Sequence, residues 1–146
     1  MCPTPTTAAT TDRPKRTQGQ NWITPKKRLA IYLRDGFCCA YCGKGIEAGV
    51  TLTLDHLKPY SLGGAISDHK NLITACLNCN SARGNRSLKA FVEVSAAYHQ
   101  REGQEVLAYI RRQVRRVLKT KVAGEMLAQR GSCRKVLDEV QGGRPV

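Results

Sequence analysis

Aromatic side chains make up only 5% of the 146 residues, so a core built on large rings is excluded and a fold of this size needs a further fastening. Long apolar runs are missing as well. No stretch approaches the roughly 18 residues of a membrane span, and a membrane-bound chain is not expected. Acidic residues are scarce, 11 against 24 Lys and Arg, which leaves a formal charge of +13. An excess of that size points to a polyanionic partner, and nucleic acid stands ahead of lipid. No secretory signal peptide heads the sequence, so a cytoplasmic location is expected and a disulfide framework is not.

What the chain does have is seven cysteines. Cys39-Ala-Tyr-Cys42 and Cys76-Leu-Asn-Cys79 are two CxxC knuckles, the spacing of four thiolates around one zinc ion. A redox CxxC would need a βαβ pattern beside it, and none is visible. Four sulfurs close the zinc shell and leave no position for water, so this ion is expected to be structural. Cys2, Cys38 and Cys133 are read as unpaired, unreactive thiols.

Charge and pattern divide the chain. Residues 1–21 are rich in Thr and Pro and form a disordered basic tail, whose Arg13, Lys15 and Arg16 either touch phosphates or stay solvated. Residues 37–82 are balanced, with Lys44, Lys58 and Lys70 against Glu47, Asp55 and Asp68, so the positive excess lies in the flanks. Thr24-Pro25 opens a short helix that stops at Asp35-Gly36. Lys26, Lys27 and Arg28 sit at its positive end, where DNA phosphate or solvent must compensate them. The alternation of Val50-Thr-Leu-Thr-Leu54 reads as a strand ending at Asp55-His56, blocked by Lys58-Pro59. A turn follows at Ser61-Leu-Gly-Gly64, and then a helix from Thr74 as cap through Arg83, with Gly84 as stop. Ser87 caps a further helix carrying Leu88, Phe91, Val92 and Tyr98. Residues 88–146 form a helical extension, whose basic amphipathic helix, beyond Gly103, runs over about residues 104–130. Its apolar face is Val106, Leu107, Ile110, Val114, Val117 and Leu118, and Arg111, Arg112, Arg115, Arg116, Lys119 and Lys121 lie opposite. A solvated face and a membrane-surface helix are both open readings, and a DNA-facing arm is favoured. Residues 141–146 read as a frayed end.

Between the knuckles lies a set of residues suited to phosphodiester hydrolysis, which needs an activated water and a cation beside the phosphate. An imidazole can take a proton from water near neutral pH, and His56 fits the general base. Asp55 offers hard oxygen to a divalent cation, provided the strand ends or bends there, since consecutive strand residues face opposite ways. Cys76, Cys79 and Asn80 follow at i, i+3 and i+4, so zinc ligation would aim Asn80 toward the strand end. Arg83, one turn later, is a candidate phosphate clamp with Arg86 beside it. His69 and His99 are read as packed or solvated side chains.

In order and spacing, Tyr41-Cys42-Gly43, Asp55-His56, Gly63-Gly64, Asp68, Asn71-Leu72 and Cys76-Leu-Asn-Cys79-Asn80 resemble the HNH endonucleases over about residues 22–87. The resemblance implies an α+β fold: a small ββα-metal (His-Me finger) motif stapled by a four-cysteine zinc site, with flanking α-helices. It implies His56 as general base, Asn71 as the residue that steadies the loop presenting it, and Asp55 and Asn80 as ligands of a catalytic cation. Many members carry His where this chain has Asn80, so the pattern looks like the H-N-N variant, and the harder oxygen ligand tilts the site toward Mg²⁺ or Mn²⁺. A metal-dependent DNA endonuclease is expected, nicking or cutting double-stranded DNA as a monomer or weak dimer in a bacterial cell or phage-infected host. Phage packaging and restriction are settings the resemblance leaves open. The competing class is a zinc-stapled DNA-binding module without activity. The two part at Asp55, His56 and Asn80, which a pure binder has no reason to keep together.

Overall fold

The computed structural model describes residues 22–142. The expected tail, with Cys2, Arg13, Lys15 and Arg16, lies outside the described residues, as do residues 143–146 of the expected frayed end. Among the described residues the chain forms six α-helices and one two-stranded antiparallel sheet, the α+β class expected.

Helix α1 spans Pro25–Arg34. Thr24 is its cap: the hydroxyl accepts the Lys27 N–H at 3.2 Å, and Pro25 fills a first-turn position whose N–H would have no partner. Its end comes at Asp35, and Gly36 turns the chain away with a φ of +70°, a conformation that costs glycine nothing. Strand β1, Leu52–His56, then pairs with β2, Leu72–Cys76, with Leu54 opposite Thr74 and His56 opposite Leu72.

The second strand corrects the sequence reading. Thr74 does not cap a helix; it is a fully buried strand residue, and helix α2 covers only Leu77–Arg83. All of β2 is buried, so its two faces are both covered and no alternation marks it as a strand. The cap of α2 is Cys76, whose sulfur accepts the Cys79 N–H at 3.4 Å.

Each face of the sheet has its own cover. Leu52, Leu54 and Leu72 pack against Ile31 and Tyr32 of α1. Ile73 and Ala75 pack against helix α3, Leu88–Tyr98, through Phe91 and Val92, and against helix α4, Gly103–Arg115, through Val106, Leu107 and Ile110. Ser87 caps α3 as expected, its hydroxyl accepting the Ala90 N–H. Tyr98 does not join the core; it is 70% exposed.

The long basic helix expected over 104–130 is broken. Helix α4 stops at Arg116, whose backbone is extended at ψ 146°, and helix α5 starts afresh at Thr120–Arg130, followed by α6 at Cys133–Gln141. Packing overrides the periodicity here. A third cluster joins Leu29 and Ala30 of α1 to Ala123 and Met126 of α5 and Val136 of α6. The break lets Leu118 turn onto that cluster while Val117, expected on the apolar face, is 87% exposed.

A buried polar knot ties three of these elements. Arg34 and Asp35 form a bidentate pair at 2.7 and 3.0 Å. Asp35 also accepts the Thr74 N–H of β2 at 2.9 Å and the Gln113 amide of α4 at 3.1 Å. The Arg34 guanidinium also donates to the carbonyls of His69 at 3.2 Å and Leu72 at 2.7 Å, so both buried charges are paired and hydrogen-bonded. No helix among the described residues is long and apolar enough to cross a membrane.

Candidate active site and metal centre

The two knuckles meet. Cys39 and Cys42 occupy the loop closed by the Cys38–Gly45 bridge, and Cys76 and Cys79 lie at the junction of β2 and α2. The four sulfurs are within 4.8 Å of one another, with Cys42 and Cys76 at 3.9 Å. Zinc–sulfur bonds of about 2.3 Å in a tetrahedron put sulfurs roughly 3.8 Å apart, so the cluster has the dimensions of a metal shell. Backbone N–H groups of Tyr41, Cys42 and Cys79 point at the sulfurs of Cys39 and Cys76 at 3.4 to 3.5 Å, as thiolates require. Contact between the sulfurs splits their acidities. Hydrogen bonding from Cys39 pulls Cys76 down to about 6 and Cys42 is lowered too, whereas Cys39 and Cys79 are raised. Four thiolates cannot share this space without a cation, and the donor set suits a metal such as zinc.

Strand β1 ends on the expected pair of chemical groups. Asp55, His56 and Asn80 line one cavity of about 310 Å³, with Pro59, Tyr60, Ser61 and the Gly84-Asn85 turn forming its walls. Asp55 and His56 face opposite ways along the strand, and they share the cavity because His56 is its last residue.

The imidazole of His56 is held from two sides. Its Nε2 lies 2.8 Å from the Ile66 carbonyl, and since a carbonyl can only accept, Nε2 carries the hydrogen and Nδ1 keeps the lone pair. The indole of Trp22 lies against the ring at 4.8 Å between centroids. Ile66 is itself placed by Asn71, which closes the loop 57–66 at both ends. Asn71 accepts the Lys58 N–H at 2.9 Å and donates to the carbonyls of Lys58 at 3.1 Å and Ala65 at 2.8 Å.

Asn80 has its amide orientation fixed by the strand. The nitrogen donates to the Thr53 hydroxyl at 2.9 Å and the Leu54 carbonyl at 3.1 Å, so the amide oxygen is left as a ligand atom. Asp55 is 5% exposed, and its Oδ2 takes both the Tyr41 hydroxyl and the Arg83 guanidinium, the latter at 2.9 Å. Burial pushes the Asp55 carboxyl above its ordinary range, and the charge of Arg83 works against that shift. The other carboxylate oxygen carries no hydrogen bond to a described residue. One oxygen from each of Asp55 and Asn80 is therefore free, a donor set that fits a hard divalent cation finishing its shell with water or phosphate.

Several of the basic residues expected at DNA are otherwise engaged. Arg83 is no phosphate clamp: it is 1% exposed, and its guanidinium is spent on Asp55 and on the carbonyls of His56, Leu57 and Arg86. It lies on the buried side of α2, against the Asp55 carboxylate, and does not line the cavity. Lys27 donates to the Ser67 carbonyl at 2.8 Å, and Arg28 lies over the Trp22 ring at 5.5 Å. Lys26, Arg86, Arg111, Arg112 and Arg115 are exposed, while Arg116, also exposed, lends one nitrogen to the Arg34 carbonyl at 3.3 Å. His69 and His99 line no part of the cavity.

Trp22, Tyr41 and the Ile66 carbonyl are the neighbours that residue types did not announce. A backbone acceptor leaves no mark in a sequence, and Trp22 stands apart from the motif as the single tryptophan. Set against known proteins, residues 39–86 match the family model described as HNH endonuclease. No curated protein and no solved structure matches the chain.

Proposed function

From a core, residues 39–86, that is an HNH endonuclease segment, we propose that the protein hydrolyses phosphodiester bonds of double-stranded DNA with His56 as general base and a divalent cation held by Asp55 and Asn80. One observation carries the reading: the Ile66 carbonyl fixes the tautomer that leaves Nδ1 of His56 basic, at the end of the strand that brings Asp55 into the same cavity. Nδ1 accepts a proton from the attacking water, and the growing positive charge on the ring is stabilised by the carbonyl hydrogen-bonded at Nε2. Asn71 keeps that carbonyl in place, a supporting role. Asn80 presents its oxygen to the cation because the strand holds its nitrogen. When bound, Mg²⁺ or Mn²⁺ supplies charge neutralisation at the phosphate and the leaving oxygen. The thiol cluster fits zinc as a structural ion; it anchors α2, and with it Asn80, to the knuckle.

Arg86, Lys26 and the exposed face of α4, with Arg111, Arg112, Arg115 and Arg116, form the phosphate-binding surface in this reading, and nicking or double-strand cleavage by a monomer or weak dimer follows the path of the substrate over it. The test is plasmid cleavage with Mg²⁺ or Mn²⁺ by the native chain and by His56→Ala in protein that retains its zinc. Loss of cleavage in the variant is expected. Equal cleavage by both sinks the catalytic assignment, and DNA binding without any cleavage by the native chain leaves the zinc-stapled binding module in its place.

A further inference from the structure

The first turn of α1 and the residues before it lie outside the matched segment, yet three of their side chains converge on the base and its loop. Trp22 lies against the His56 imidazole at 4.8 Å between ring centroids, tilted by 43°. Arg28 covers Trp22 at 5.5 Å and is itself held by the Tyr32 hydroxyl at 3.4 Å. Tyr32 in turn donates to the Leu52 carbonyl at 3.2 Å. Helix α1 and the residues leading into it thereby grip both ends of β1, Leu52 through Tyr32 and His56 through Trp22. Lys27, from the same turn, fastens the Ser67 carbonyl at 2.8 Å, the residue after the carbonyl that fixes the His56 tautomer.

We propose that Trp22 is a positioning residue for the reaction, a platform that sets the plane of the His56 ring while the Ile66 carbonyl sets its tautomer. A hydrogen bond at Nε2 alone leaves the ring free to swing about that contact, and Nδ1 would sweep across the cavity. The indole packed against the ring at a 43° tilt restricts that freedom. Arg28 and Lys27, expected from sequence at DNA, serve this bracket instead: one steadies the indole through its π face, the other the loop. The role in turnover rests on His56 being the general base, while the contact itself does not.

The experiment therefore has two arms. In the first, nuclear magnetic resonance of the imidazole nitrogens and ring protons is recorded on the zinc-containing full chain without DNA. Native protein is expected to show the Nε2–H tautomer with His56 ring protons shifted upfield by the indole. Trp22→Leu, which keeps the apolar bulk, loses the upfield shift, and Trp22→Phe keeps much of it. In the second arm, steady-state cleavage is expected to show kcat lowered about 10- to 100-fold in Trp22→Leu, with KM for DNA unchanged and Trp22→Phe restored to within a few-fold of native. His56 signals identical in native protein and Trp22→Leu would overturn the proposal. So would a change confined to KM, which would make Trp22 a DNA contact. If the native chain does not cleave but the first arm behaves as expected, the platform stands and it is the catalytic reading of His56 that falls.

Discussion

The thiol cluster has the make-up of a cation site and the Asp55–Asn80 cavity is proposed as a second one, and the two are built in opposite ways. The cluster draws four like atoms from two tight turns, closes around them, and stabilises the sulfurs with backbone N–H groups. The cavity offers two unlike oxygens on an open wall, each belonging to a side chain already half committed: Asp55 to Tyr41 and Arg83, Asn80 to the strand. A site that saturates its ion contributes stability and no chemistry. One that leaves coordination positions open contributes little stability and can accept a phosphate. Helix α2 joins them, with Cys76 and Cys79 at one end and Asn80 one residue on, so the first centre sets the geometry of the second.

That contrast can be broken most severely at the cluster. Metal binding to a four-thiolate shell carries on the order of 10 kcal/mol, so Cys76→Ser or a strong chelator is expected to unfold the core, read as loss of the cooperative thermal transition. A folded, active Cys76→Ser protein would remove the structural role. Next in size is His56→Ala, expected to lower kcat roughly 10²- to 10⁴-fold at unchanged zinc content and thermal midpoint; a drop in zinc content would mean the two centres are not separable. Arg83→Met tests the seam between them. It strands the buried Asp55 carboxylate, and about 3–5 kcal/mol of stability should be lost in denaturant unfolding, with DNA affinity little changed. A large loss of affinity at intact stability would restore Arg83 as a phosphate contact. Asn80→Ala is smaller still: about 10- to 100-fold more Mg²⁺ is expected for half-maximal cleavage, with no effect on zinc. Least of all, Arg111→Ala should lower the slope of log affinity against log salt by about one and leave kcat alone.

That the four cysteines would meet, and that Asp55, His56 and Asn80 would share one cavity, was legible because their types and spacings are unusual. Two CxxC pairs, an Asp-His step at a strand end and an Asn one residue after the last Cys constrain one another. Legibility failed where tertiary contacts decide. Strand β2 carries no alternation because both its faces are buried, and a run of five residues could as well have opened a helix. The break after Arg115 is not marked in the helical spacing of the apolar residues; it follows from where Leu118, Ala123 and Met126 find their cover. Arg83 and Lys27, which the sequence offers as phosphate contacts, are instead engaged by a carboxylate and by carbonyls. Charge alone does not tell a phosphate contact from an internal strut.

The Asp35 knot bears on how little of this chain could fold by itself. Its carboxylate collects partners from α1, β2 and α4, which are 39 and 78 residues away in the case of Thr74 and Gln113. A polypeptide ending near residue 87 would keep the four cysteines, Asp55, His56 and Asn80, yet it would strip Gln113 from Asp35 and uncover Ile73 and Ala75 where α3 and α4 now lie. The helices beyond the motif thus pack as part of one core with it, and the segment 39–86 depends on the C-terminal half for its dry interior.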